Sequence, residues 1–142
     1  MFSLSLRKLK EEDLKFELDD PRTGALVTFE GVVRDHNEGR KVVGLEYEAS
    51  ESLAQKEAGK IFAEAKEKFN IFEIKCVHRV GRLSIGEIAV WIAVTAAHRE
   101  DAFDACRYVI DQIKERLPIW KKEYYEDGDS GWINSEKALH HN

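Results

Sequence analysis

An α+β domain is the fold class that the sequence predicts. Three observations predict it: strand-like runs in two separated blocks, a turn signal inside each block, and a long apolar stripe of helical spacing after each. The order strand, strand, helix, repeated once, implies helices packed on an antiparallel or mixed sheet. At 142 residues the chain has the usual size of one domain and is long enough for a real core. The expectation is a single domain over 1–142, with 1–22 as an N-terminal arm and 134–142 as a flexible tail.

The polar arm predicts a short helix near residues 10 to 17. DDPRTG then reads as a turn and GALVTFEGVVR as a strand. DHNEGRK supplies Asn and Gly for a tight turn, and VVGLEYEA alternates after it, with Val43, Leu45, Tyr47 and Ala49 on one face. The two strands predict a hairpin. From about Ser52 to Phe69, Leu53, Ala58, Ile61, Ala65 and Phe69 recur at helical spacing, and Ser52 with Gln55 fits a capping box.

The second block opens with FEIKCVHRVGRL, where Phe72, Ile74, Cys76 and Val80 share a face. It turns at SIGE and continues as EIAVWIAVTAA, apolar on both faces as a central strand is. A second hairpin is expected. The last helix, about Glu100 to Leu117, spaces Phe103, Cys106, Ile110, Ile113 and Leu117 by 3, 4, 3 and 4. Glu100 and Asp101 suit its first turn, and Pro118 stops it.

Composition narrows the function. A formal net charge of −5 argues against nonspecific binding to duplex nucleic acid, which needs spread positive charge. Cys76 and Cys106 form no CxxC, so neither a disulfide framework nor a zinc ribbon is indicated and a reducing compartment fits. The start lacks the features of a signal peptide, and no run approaches the ~20 apolar residues of a membrane span. A cytoplasmic protein without a membrane partner is expected. His36, His78, His98, His140 and His141 show no metal-ligand spacing, and no nucleophile elbow, phosphate loop or dinucleotide fingerprint occurs.

Against this acidic background, KERLPIWKKE from Lys114 to Glu123 gathers three lysines and an arginine around Leu117, Pro118, Ile119 and Trp120. Charge beside buried apolar anchors is costly, so these cations either form a solvated rim or await an anion. Lys114 flanks the apolar stripe, and Lys121 and Lys122 follow the helix stop. A lysine beside apolar walls and other cations suits proton transfer or nucleophilic attack if neutral, and clamps phosphate or carboxylate if protonated. His98 and Arg99 fall at the start of the second helix, where free backbone N–H groups and a guanidinium favour an anion. The plainer alternative is a capping His98 and a solvated Arg99. Arg34 ends the first strand beside Asp35, His36 and Asn37, at a strand tip of the kind that carries functional groups.

FEGVVRDHNEGRKVVGLEYEA, HRVGRLSIGE, VTAAHREDAFDACRYVIDQIK, PIWKKE and GDSGWI together resemble the large, catalytic subunit of molybdopterin synthase, with matching order and spacing over roughly residues 24 to 133. The resemblance implies an α/β hammerhead fold and a homodimer within a heterotetramer. Each large subunit would bind a small ubiquitin-like sulfur carrier whose C-terminal Gly-Gly enters the active site. The carrier's thiocarboxylate would sulfurate cyclic pyranopterin monophosphate in two rounds, with no cofactor and no metal. By resemblance, Lys114 and Lys121 are the essential lysines. Val32 and Val33 by their backbone, Arg34, His98, Arg99, Lys122 and Glu123 join them in binding substrate. Lys122 stands where an arginine is common, and SEKALHHN offers no match to a basic residue that reaches a neighbouring subunit in many relatives. A noncatalytic module binding an anion or a protein tail is the alternative from another class, and a lysine Schiff-base enzyme ranks last.

Overall fold

The computed structural model describes residues 1–14 and 16–134, which form two sheets and two helices. The first sheet has the order β1-β5-β7-β2, from Phe2–Ser5, Ile71–Arg79, Ile88–Ala96 and Ala25–Val32. β1 runs parallel to β5 and the other pairs are antiparallel, so the sheet is mixed. The second sheet has the order β10-β8-β4-β3, from Ile133–Asn134, Ile119–Tyr125, Arg40–Ala49 and His36–Asn37. Here β6 (Gly81–Leu83) pairs with β4, and β9 (Gly128–Asp129) with β8. The helices are α1, Glu51–Lys68, and α2, Arg99–Arg116.

β7 is apolar on both faces because both are covered. Val90, Ile92 and Val94 join Ile74 and Cys76 of β5 under the two helices, packing with Ile61, Val109, Ile110 and Ile113. Trp91 and Ala93 point the other way with Val77, where Leu9, Leu14 and Phe16 of the N-terminal arm close over them. The arm is thus part of the core. Its first residues form β1, and among its described residues the helical content is a 3-10 turn at Glu11–Asp13 instead of the helix expected near 10 to 17. Among the described residues no helix is long and apolar enough to cross a membrane.

The second expected hairpin forms as β5 and β7; the first does not. β2 pairs along its length with β7, from Ala25↔Ala96 to Val32↔Ile88, while β4 leaves for the second sheet and pairs with β8. A doubly buried strand needs partners on both edges, and β2 supplies the second one. The connection makes its own small hairpin, β3 with β4, turned by Glu38 and Gly39 at φ 49° and 78°. Positive φ at both turn residues is what a two-residue hairpin loop requires.

Three face assignments also shift. A bulge between Val42 and Gly44 turns Val42 inward and leaves Val43 exposed, so only Leu45, Tyr47 and Ala49 keep the expected inward side. Leu53 and Phe103 are 57% and 59% exposed, while Ala54, Ala58, Ala65, Ala102 and Ala105 are fully buried. The helices approach their neighbours closely enough to select small side chains there, which a search for large apolar residues passes over. Finally, Ser50 rather than Ser52 precedes α1, and Gln55 bonds the Phe2 carbonyl at 2.9 Å instead of closing a capping box.

Of the tail expected over 134–142, Asn134 belongs to β10, pairing with Trp120, and 135–142 with His140 and His141 lie outside the described residues.

Candidate functional site

A cleft of ≈ 620 Å³ opens between the end of β2, the second sheet and the C-terminal half of α2. Arg34, Lys114 and Lys121 all line it. Each comes from a different element for a local reason. A register shift at Gly31/Val32 ends the β2 ladder, burying Val33 at 3% exposure and leaving Arg34 exposed beyond it. Lys114 follows buried Ile113 in α2, so its stem leaves the apolar stripe at the cleft wall. Pro118 stops the helix, and β8 then alternates, placing Ile119, Lys121, Glu123 and Tyr125 on the cleft side.

Glu123 is the anchor beneath Lys121. Only 5% exposed, its carboxylate accepts from Asn37 Nδ2 at 3.0 Å and Tyr125 Oη at 2.9 Å, and Lys121 Nζ lies 3.3 Å from it. Its own N–H donates to Ser130 Oγ at 2.9 Å. A buried carboxylate so fully engaged is a support for Lys121 and a poor partner for an anion, whatever its neighbours. Tyr47, at the cleft floor, has its hydroxyl pushed up to about 12 by burial and the Glu123 charge, so it stays neutral. Among the described residues no group of three His, Cys, Asp or Glu side chains could hold a metal ion.

Three residues read from the sequence as binders lie elsewhere. Lys122 faces the opposite side of β8, its Nζ 4.8 Å from the centre of the Trp132 ring, as strand alternation dictates for a neighbour of Lys121. His98 and Arg99 begin α2, fifteen residues before Lys114, which on a straight helix is about 22 Å. The register Ala25↔Ala96 likewise places His98 near the start of β2, a strand length of roughly 26 Å from Arg34. Within one chain, then, the helix start and the lysines cannot clasp one small guest. Val33 is also unavailable by its N–H, which donates to the Glu87 carbonyl at 2.9 Å.

The floor holds what the sequence reading missed. His78 and Tyr47 meet edge to face, ring centres 5.0 Å apart, and Asn37 and Tyr125 serve Glu123. For His78 there was a signal: a histidine on the strand face that otherwise carries Ile74, Cys76 and Val80. For the Glu123 network there was none, because Asn37 stands 86 positions from Glu123 and reaches it only from another strand.

The family described as MoaE protein matches residues 4–116. The chain belongs to that family. Among curated members, the molybdopterin synthase catalytic subunit of Thermoplasma volcanium is 45% identical over 120 residues, covering 84% of this chain and 88% of that protein. The X-ray crystal structure of molybdopterin synthase from Staphylococcus aureus superimposes with a TM-score of 0.82 at 41% identity, covering 92% of this chain and 94% of that one. A complex of subunits 1 and 2 of molybdopterin-converting factor from Helicobacter pylori shares the fold, at TM-score 0.72 and 21% identity, with 90% of this chain and 87% of that one covered. The MoaE architecture is therefore the two-sheet, two-helix arrangement that forms the cleft.

Proposed function

We propose that this MoaE-family chain is the catalytic subunit of a molybdopterin synthase. It moves sulfur from the C-terminal thiocarboxylate of a small ubiquitin-like carrier onto cyclic pyranopterin monophosphate. The observation that carries this reading is the convergence of Arg34, Lys114 and Lys121 on one cleft, with Lys121 held by a buried carboxylate. The reaction has two anionic participants, a phosphate and a thiocarboxylate tail, and the cleft offers cations to both.

Arg34 binds the cyclic phosphate. Lys121 sits by the carrier's terminal carbonyl and stabilises the oxyanion that forms there when water adds to the acyl carbon. The bond from that carbon to sulfur then breaks, leaving the sulfur on the pterin and the carrier tail as a carboxylate. Lys114 assists proton transfer or neutralises the phosphate. Binding substrate alone does not accelerate the step; the cations act by meeting charge that grows in the transition state. His98 and Arg99, too far along α2 to reach these groups, complete the phosphate site from a second copy of the chain. A homodimer carrying one small subunit on each large one, four chains in all, is the assembly this requires.

Lys121→Ala is expected to lose turnover by roughly a hundredfold or more while carrier affinity falls far less. The assay is single-turnover sulfuration with thiocarboxylated carrier and cyclic pyranopterin monophosphate, alongside a carrier-binding isotherm. Wild-type turnover in the variant would refute the role of Lys121. Complex formation by the unmodified chain with no sulfurated product would leave a noncatalytic binding module instead.

A further inference from the structure

His78 of β5 is buried at 8% exposure and lines the same cleft as Lys114 and Lys121. Its Nδ1 lies 2.7 Å from the Arg79 carbonyl oxygen. A carbonyl only accepts, so Nδ1 carries the proton and Nε2 is the bare acceptor of a neutral ring. That carbonyl is itself well placed: the Arg79 side chain bonds Ser5, Leu6 and Arg82 carbonyls and Glu87, fixing this corner of the fold. The Tyr47 and His78 rings meet in a T-shaped arrangement at 85°. Burial pushes the imidazole down to about 4; the Arg79 hydrogen bond opposes this and the nearby Lys114 cation adds to it. At neutral pH the ring is therefore no reservoir of protons.

What remains is the acceptor. Among the described residues Nε2 has no hydrogen-bond partner, yet none of their buried side-chain nitrogens or oxygens is sealed without one. Nε2 therefore opens onto the cleft. Around it lie Tyr47, Val90, Ile110 and Ile113, an apolar floor with a neutral hydroxyl, while the cations stand nearer solvent. Such a pocket has one end for charge and another for a flat, uncharged ring.

We propose that His78 Nε2 accepts a hydrogen bond from an N–H of a flat nitrogen heterocycle seated on this floor, while the anionic end of the same guest meets Arg34 and Lys114. This rests on the reading of the cleft given above, and it makes His78 the residue that selects the heterocycle of the pyranopterin. A guest turned to place a carbonyl at Nε2 sets two acceptors face to face and leaves both unpaired, which is how a buried acceptor discriminates. His78 takes no proton and no sulfur.

The test is equilibrium binding of cyclic pyranopterin monophosphate to the full chain and to His78→Leu and His78→Gln, with competition by inorganic phosphate. His78→Leu fills the space without an acceptor; His78→Gln returns an amide oxygen near the position of Nε2. Expected are a Kd raised about tenfold or more in His78→Leu, recovery of most of that loss in His78→Gln, and an unchanged phosphate affinity in both. An unchanged Kd in a folded His78→Leu overturns the proposal, and so does an equal loss in both variants, which would point to volume alone. Should both variants unfold, the unaltered chain is offered a pyranopterin methylated at its ring N–H: tenfold weaker binding supports the acceptor, and equal binding overturns it. Adding thiocarboxylated carrier separates the two readings, because tight, His78-dependent binding without sulfurated product sinks the reaction and leaves the acceptor standing.

Discussion

Glu123 shows how a single side chain can decide the geometry of a catalytic cation. Its carboxylate collects Asn37, Tyr125 and Lys121, so removing it takes the partner from two half-buried donors and frees the lysine. Glu123→Ala is expected to cost about 2–4 kcal/mol of stability, with Glu123→Gln costing less because it keeps the shape and one acceptor. Urea unfolding measures both, and an unchanged midpoint for Glu123→Ala would mean that the donors find other partners. The residues of this site were unequally legible. Lys114 and Lys121 could be read because cations beside apolar anchors are conspicuous in a chain of net charge −5, and Arg34 because it ends a strand beside a polar cluster. Glu123 could be placed by resemblance but not given its supporting role, since that depends on Asn37 arriving from a different strand. His78 stood in plain view in β5, but its tautomer follows from a carbonyl only a folded backbone positions.

Among the elements, the two helices are locked by one guanidinium. Arg116, in the last turn of α2, bonds Glu57 at 2.9 Å and both oxygens of Glu64 at 2.6 and 2.9 Å, and Tyr108 adds a bond to Glu64 at 2.6 Å. The Arg116 hydrogen bonds, then that of Tyr108, hold the Glu64 carboxyl down at about 2 against an ordinary value of 4.5. A depressed folded-state value stabilises the fold above the ordinary value and loses that stabilisation as pH falls. The thermal midpoint is therefore expected to drop between pH 4.5 and about 2, with a shallower drop in Glu64→Gln. Melts across that range check it, and identical slopes for the two chains would remove Glu64 from the account. Both helices were legible within a residue or two at each end, because a stripe of helical period survives small errors. The first hairpin was not legible. Which edge β2 takes depends on β7, more than fifty positions downstream, and no local pattern encodes that competition.

For the whole molecule, the separation of His98 and Arg99 from the lysines makes the assembly part of the site. If a second copy supplies them, Arg99→Ala and Lys121→Ala are defects in opposite halves of each shared site. Either variant alone is expected to be inactive, whereas co-expression gives mixed dimers with one intact site each and roughly a quarter of wild-type activity at equal ratio. Activity assays on the co-purified mixture decide it, and a mixture as inactive as its parents would refute the sharing of one site between two copies. The layered α+β class was readable from the order of patterns, because it requires only knowing which segments have a face to bury. The division into two sheets was not, because it turns on a bulge and a pairing choice that leave the periodicity nearly intact. That division has a mechanical consequence. Arg34 lies just past the end of a strand of one sheet, Lys121 is carried by the other sheet and Lys114 by α2, so an anion touching all three adds a link among the two sheets and the helix. While it stays, the guest acts as a keystone, and the empty protein is the looser arch.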